Sequence, residues 1–230
     1  MTFRHLYDIS TQESVELSPL QPAPACILFD LDGTLVDTMG AFADIAADVM
    51  ATRYGLSRKN ARQLYLQTSG IPFCRQLQVI FGDHPDNDAA AAEFEARKHN
   101  VALVARMDPS TEAALLALRE KGIKLVVSSN GMQEHVDRFA ERSGGLFSLG
   151  LGFGVGLAKG EPHVSVVSSV LGVPRSRMAF VGDSLRDGEL AAASGVRFIG
   201  RTGTFSRDEM RSRFPEAPLV QHVTELPSLF

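Results

Sequence analysis

The sequence predicts an α/β protein that combines a parallel sheet with a small, all-helical insertion. From about residue 109 onwards, helical patterns that end at glycine alternate with short apolar runs, which is typical of a parallel sheet with helices on both faces. Between Thr38 and Arg106 the periodicity is helical throughout and no strand-like run occurs. A chain of 230 residues is long enough for one core domain and one smaller inserted domain.

Local signals set the expected boundaries. Three prolines close a predicted N-terminal extension, residues 1–24. The core is expected to comprise residues 25–37 and 109–230, and the helical insertion residues 38–108. The predicted strands are 25–29, 123–127, a weak strand within 146–153, 178–181 and 196–199. The predicted helices are 39–54, 58–67, 72–81, 88–106, 110–121, 132–142, 162–171 and 185–194.

Composition argues against several classes of protein. The formal net charge is -4 and no Lys/Arg cluster occurs, so a nucleic-acid partner is not expected. No apolar stretch approaches the 20 or so residues of a membrane span, and the N-terminus lacks the apolar centre of a secretory signal. Cys26 and Cys74 lack metal-site spacing and are expected to be free thiols. We therefore expect a cytoplasmic protein without a membrane partner, either a monomer or a homodimer.

Polar side chains follow three of the predicted strands at the point where each strand ends. Asp30 follows Phe29, Ser128 follows Val127, and Gly182-Asp183 follows Val181. Ligands of open parallel sheets bind at the carboxyl ends of the strands, so these residues should meet at one edge. Two carboxylates and a hydroxyl there predict a site for a cation and an anionic oxygen.

The most specific motif is Asp30-Leu31-Asp32-Gly33-Thr34-Leu35. Side chains two residues apart in an extended segment point to the same side, so Asp30 and Asp32 should both face the edge. Such close carboxylates repel unless a cation lies between them or one holds a proton, and this suits a nucleophile beside an acid and base. The alternative is a solvated turn, but the full string directly after a buried strand favours a functional site.

These residues resemble the first motif of the haloacid dehalogenase-like (HAD) superfamily. Ser128 resembles the second motif, and Gly182-Asp183-Ser184-Leu185-Arg186-Asp187 resembles the fourth. The resemblance spans about residues 26–200, and the helical insertion is similar to the cap domain of the branch that includes phosphoglycolate phosphatase and β-phosphoglucomutase. It implies a Rossmann-like core and a magnesium-dependent phosphatase that forms an aspartyl phosphate on a small phosphorylated metabolite.

The resemblance also implies individual roles. Asp30 would be the nucleophile and Asp32 the acid and base. The implied Mg²⁺ ligands are Asp30, the backbone carbonyl of Asp32, Asp183 and Asp187, the last either directly or through a neighbour. The implied phosphate-binding residues are Gly33, Thr34, Ser128, Ser129 and Lys159. In the cap loop, Ser69, Gly70 and Arg75 are expected to select a small polar substrate such as a sugar phosphate or phosphoglycolate.

The third motif departs from the family pattern, which often reads GKPxP. This chain reads Lys159-Gly160-Glu161-Pro162-His163, so alignment of the prolines would put Glu161 in the place of the lysine. Lys159 is the only lysine after Lys124, and we therefore expect it to bind the phosphoryl group. The alternative is a surface lysine at a helix start, with another basic residue such as Arg186 at the site.

Several other functions stay open to different degrees. A dehalogenase or phosphonatase should lack the second aspartate, and Asp32 argues against both. A sugar phosphomutase carries a cap histidine where this chain has Phe42, twelve residues after Asp30. A phospho-aspartate signalling domain has its acidic residues in a different order and has no helical insertion. An inactive binding protein on the same fold is the remaining alternative. The histidines near the edge, His135 and His163, are expected to be incidental.

Overall fold

The computed structural model describes residues 22–154 and 156–230, so the predicted extension lies almost wholly outside the described residues. Six parallel strands form one sheet in the order β3-β2-β1-β4-β5-β6. Their bounds are β1 Cys26–Phe29, β2 Lys124–Met132, β3 Leu149–Phe153, β4 Met178–Gly182, β5 Arg197–Arg201 and β6 Leu219–Val220. The predicted Rossmann-like parallel sheet is thus confirmed.

The first strand lies in the middle of the sheet because its side chains are apolar on both faces. Ile27 and Phe29 pack into the hydrophobic cluster on one face, and Cys26 and Leu28 into the cluster on the other. Phe29 pairs with Val127 of β2 and with Val181 of β4. The residues that follow these three positions therefore lie at one level along the carboxyl edge.

Nine α-helices accompany the sheet in the described part of the chain. Four of them lie between β1 and α5 in the chain and share one hydrophobic cluster; we call this group the cap, and its helices are α1 Met39–Tyr54, α2 Arg58–Gln67, α3 Phe73–Phe81 and α4 Asn87–Val104. The helices around the sheet are α5 Pro109–Glu120, α6 Gln133–Arg142, α7 Glu161–Leu171, α8 Leu185–Ala193 and α9 Arg207–Arg213. These bounds lie close to the predicted ones for α1 to α8.

The cap has a hydrophobic cluster of its own. Phe42 and Met50 of α1, Tyr65 of α2, Leu77 of α3 and Phe94 of α4 are buried in it. The rings of Phe42 and Phe94 meet edge to face with their centroids 6.4 Å apart. Because the cap packs around its own core, it presents a defined surface to the sheet edge rather than a loose set of helices.

Several elements near the C-terminus were not predicted. They are α9, the two-residue strand β6 and a 3₁₀ helix at Val223–Leu229. Leu226 and Leu229 of that helix are buried against α5, on one face of the sheet. Both cysteines are free, as expected. No helix in the described residues is long and apolar enough to cross a bilayer.

Candidate active site

A cleft lies between the carboxyl edge of the sheet and the helical cap. The core contributes Asp30, Asp32, Ser129, Asn130, Gly131, Lys159 and Asp183 to its walls. The cap contributes Met39, Phe42, Tyr65, Ser69, Gly70, Ile71, Gln76 and Lys98. Most of the residues predicted from widely separated motifs therefore do meet in one cleft. The core forms its polar floor, and the cap covers it with both polar and apolar side chains.

Three buried carboxylates form the centre of this floor. Asp30, Asp183 and Asp187 offer oxygens that all lie within 4.8 Å of one another. Burial raises the pKa of Asp30 well above its ordinary value, and the negative charges of Asp187 and Asp183 raise it further. The positive charge of Lys159 lowers this pKa but offsets the increase only in part. Burial, with Asp187 beside it, raises the pKa of Asp183 to about 7. Ionised carboxylates crowded in this way require positive charge nearby.

Lys159 supplies one such charge. Its Nζ donates to Asp30 Oδ1 at 2.5 Å and to Asp187 Oδ1 at 2.8 Å, and its side chain is 2% exposed. Burial alone would lower the pKa of Lys159, but the carboxylates of Asp187 and Asp30 outweigh that effect and raise it. Glu161, the alternative in the other register, is exposed and pairs with Arg175. The geometry therefore favours Lys159 over Glu161 at this site.

The donor set fits a divalent cation. When all three carboxylates are ionised, one ammonium leaves two negative charges in a buried space, and oxygen ligands of this kind are those that Mg²⁺ prefers. Asp187 is already engaged on both oxygens, because Oδ2 accepts from the backbone N and Oγ of Ser184 in the capping box that begins α8. Asp187 is therefore better placed to hold Lys159 and α8 than to bind metal.

The loop after β1 brings Asp32 to the cleft. Asp32 Oδ1 accepts a hydrogen bond from Thr38 Oγ1 at 2.8 Å. Gly33 adopts a φ of 82°, and a β-carbon there would overlap the carboxylate of Asp183 and the side chain of Met39. Thr34 differs from the prediction: its hydroxyl is buried away from the cleft and has no hydrogen-bond partner among the described residues.

The two serines after β2 have different environments, which corrects the expectation for Ser128. Ser129 lines the cleft, and its Oγ accepts from Gly131 N at 2.9 Å. Ser128 is fully buried and its Oγ lies 2.8 Å from Nδ1 of His163, away from the cleft. The sequence did not distinguish them because the strand ladder becomes irregular directly after Ser128.

The cap loop reaches the core through Gly70. Ser69 and Gly70 line the cleft, and the Gly70 carbonyl accepts from Asn130 Nδ2 at 3.1 Å. A β-carbon at Gly70 would lie 2.5 Å from Ser184 Oγ, so the two domains touch closely here. Arg75 does not reach the cleft: it is exposed and donates to Gln78 Oε1 at 2.7 Å, because it points outward from α3.

A second contact between cap and core involves two histidines. His99 Nδ1 of α4 lies 2.6 Å from His135 Nε2 of α6. Arg142 of α6 donates to the carbonyl of Leu103 in α4 at 2.9 Å. Burial lowers the pKa of His135, and the charges of His99 and Lys98 lower it further. The two helices are therefore linked side by side next to the cleft.

Lys98 is a cleft residue that the sequence reasoning missed. It projects from α4 into the cleft, with its Nζ 4.8 Å from the ring centroid of Phe42. Its position four residues after the buried Phe94 was the available signal, since residues four apart share a face of a helix. A single lysine in a helix rich in charged residues does not otherwise stand out.

Comparison with known proteins places this cleft in a class of hydrolases. The family model for haloacid dehalogenase-like hydrolases matches residues 24–195. That match covers well over half of the chain, so the protein belongs to the haloacid dehalogenase-like hydrolase family.

Individual relatives cover most of the chain. A phosphoglycolate phosphatase of Pseudomonas syringae pv. tomato is 29% identical over 191 residues, which cover 76% of this chain and 68% of that protein. A phosphoglycolate phosphatase of Rhodobacter capsulatus is 26% identical over 90% of this chain and 96% of its own length. A haloacid dehalogenase-like hydrolase of Streptococcus pneumoniae shares the fold, with a TM-score of 0.74 at 16% identity over 88% of this chain and 96% of that one.

Proposed function

We propose that this protein is a magnesium-dependent phosphatase that hydrolyses a small phosphorylated acid of the phosphoglycolate type through an aspartyl phosphate on Asp30. The observation that carries the proposal is the group of three buried carboxylates around Lys159 at the sheet edge. The names of the curated relatives support the choice of phosphoglycolate-like substrates over sugar phosphates.

Asp30, Asp183 and the backbone carbonyl of Asp32 would hold the metal. Bound Mg²⁺ would offset negative charge on the phosphoryl oxygens and make the phosphorus easier to attack. Asp187 would keep Lys159 in place, because it accepts from the lysine with one oxygen and from Ser184 with the other. Lys159 and Ser129 would donate to the phosphoryl oxygens from the core side of the cleft.

The reaction would proceed in two displacements. A carboxylate oxygen of Asp30 forms a bond to phosphorus as the bond to the leaving oxygen breaks, and Asp32 gives its proton to that oxygen. Asp32 then takes a proton from a water molecule, which attacks the aspartyl phosphate, releases inorganic phosphate and restores the Asp30 carboxylate. The hydrogen bond from Thr38 would orient Asp32 for both proton transfers.

Lys98 supports a substrate that carries a second negative group. Its side chain lines the cleft on the cap side, and the carboxylates of Asp30 and Asp183 line it on the core side. A small substrate would thus place its phosphoryl group on the core residues and its carboxylate near Lys98. Phe42 fills the position of the mutase histidine with an apolar ring that cannot transfer protons, which disfavours a sugar phosphomutase.

The test measures turnover of phosphoglycolate and of para-nitrophenyl phosphate by the purified protein, with magnesium and with a chelator. We expect turnover of both compounds that requires the metal. Asp30→Asn should lose turnover by more than about a hundredfold and still fold, because the amide cannot act as the nucleophile but can accept the hydrogen bond from Lys159.

The outcomes separate the parts of the proposal. Activity of Asp30→Asn near that of wild type would exclude Asp30 as the nucleophile. A wild-type protein that turns over neither compound with metal present would instead favour a binding protein on the same fold.

A further inference from the structure

The strand ladder opens where the chain enters the cleft. β2 and β3 pair regularly up to Ser128, which lies opposite Leu151, and the register resumes at Met132 opposite Phe153. The residues in between, 129–131, leave the ladder and line the cleft. Backbone that leaves a ladder loses those hydrogen bonds and needs other contacts to hold its position.

His163 lies at this opening and contacts both strands. Its Nδ1 is 2.8 Å from Ser128 Oγ on β2, and its Nε2 is 3.1 Å from the carbonyl oxygen of Gly152 on β3. Both the imidazole and Ser128 are fully buried. The ring therefore joins α7 to each strand at the point where the regular pairing stops.

The hydrogen-bond partners determine the tautomer of this ring. A carbonyl oxygen can only accept, so Nε2 of His163 carries the proton and Nδ1 has the lone pair. The hydroxyl of Ser128 must then donate to Nδ1. Burial lowers the pKa of His163 to about 4, so the ring is neutral at neutral pH. The hydroxyl of Ser128 therefore donates its hydrogen bond to His163, whereas the hydroxyl of Ser129 is free to donate a hydrogen bond into the cleft.

The same ring stands close to Lys159 along the chain. α7 begins at Glu161, so His163 lies in its first turn, four residues after Lys159. We propose that His163 is a positioning residue: it holds the 129–131 segment and Lys159 at a set separation, so that both reach the same phosphoryl group. This inference rests on the proposed function and assigns a role to a histidine that touches no substrate itself.

The test compares His163→Leu with a control on the same helix. Val167→Ala removes fully buried apolar atoms one turn further along α7 and touches none of these hydrogen bonds. With para-nitrophenyl phosphate, we expect His163→Leu to lower kcat/KM by up to about a hundredfold and to weaken competitive inhibition by inorganic phosphate. Val167→Ala should lose stability but leave both quantities unchanged.

Two further variants distinguish loss of the hydrogen bond from a general folding defect. His163→Asn places an amide oxygen near the position of Nδ1, where it can accept from Ser128, and should regain part of the lost phosphate affinity. Ser128→Ala removes one oxygen atom and should weaken phosphate inhibition even if the His163 variants do not fold. Wild-type phosphate inhibition in Ser128→Ala, or in a folded His163→Leu, would overturn the inference. Absence of turnover in the wild type would instead refute the proposed function.

Discussion

Lys159 lies between two buried carboxylates, and loss of its ammonium leaves both without their nearest positive charge. We predict that Lys159→Met lowers kcat/KM by roughly 10²–10³, as loss of one preorganised electrostatic contact to a transition state commonly does. Methionine keeps an unbranched chain of similar length in this buried position, where the lysine Nζ lies 5.8 Å from the ring centroid of Phe180. Steady-state kinetics on para-nitrophenyl phosphate measures the effect.

Glu161→Gln is the matched control for this variant. Glu161 is exposed and its ion pair with Arg175 lies on the surface, so its loss should be nearly silent. If instead Glu161→Gln impairs turnover and Lys159→Met does not, the lysine is not the phosphate ligand in this stretch.

Single residues differ in how far the sequence could predict them. Asp30 and Asp183 stand directly after strands whose apolar runs are easily recognised, and Asp32 lies two residues beyond Asp30, so their place at the sheet edge follows from topology. Lys159 could be inferred by elimination. Thr34 and Ser128 point away from the cleft, because side-chain direction depends in one case on a backbone turn and in the other on where the strand pairing becomes irregular, and no periodicity encodes either.

Among the elements, helix α4 carries the group that should recognise the non-reacting end of the substrate. We predict that Lys98→Ala lowers kcat/KM for phosphoglycolate by about tenfold to a hundredfold, which is the usual effect of losing one hydrogen bond to a charged group. Turnover of para-nitrophenyl phosphate, which has no carboxylate, should change far less. The ratio of the two values of kcat/KM is the quantity to measure.

Arg97→Ala provides a comparison within the same helix. Arg97 pairs with Asp48 inside the cap and does not line the cleft, so its removal should leave that ratio unaltered. An equal loss on both substrates in Lys98→Ala would mean that the lysine supports the fold of the cap rather than recognition.

The elements that the sequence predicted well are those with long, regular apolar patterns. α1 and β1 are of this kind, and each buries most of its apolar side chains. β6 has two residues and α9 has seven, too few for a period to be recognised. Both are held by tertiary contacts, with Met210 and Leu219 packed together in a small cluster.

At the scale of the whole molecule, the buried carboxylates should couple folding to metal and pH. The pKa of Asp183 is about 7 in the folded state against an ordinary 3.8, so the metal-free folded protein holds a proton that the unfolded chain gives up. Its stability should therefore fall as pH rises from about 4 to 7. Mg²⁺ binds the ionised form and should offset this loss.

We accordingly predict that Mg²⁺ raises the melting temperature more at pH 8 than at pH 5. At a concentration 100 times its dissociation constant, the metal would add about 2.7 kcal/mol to the free energy of unfolding, or roughly 5–10 °C. Thermal melts with magnesium and with a chelator at both pH values measure it. Asp183→Asn should abolish the difference, and an equal shift in that variant would mean that the metal binds elsewhere.

The contact at Gly70 determines how closely the cap can approach the core. Its backbone lies so near Ser184 and Arg186 that no side chain fits between them, and its φ of 94° favours glycine independently. The close approach of the cap to the core therefore depends on the small size of one residue. A larger residue at this position would hold the cap away from the core. Water could then enter through the gap while the phosphoryl group is being transferred.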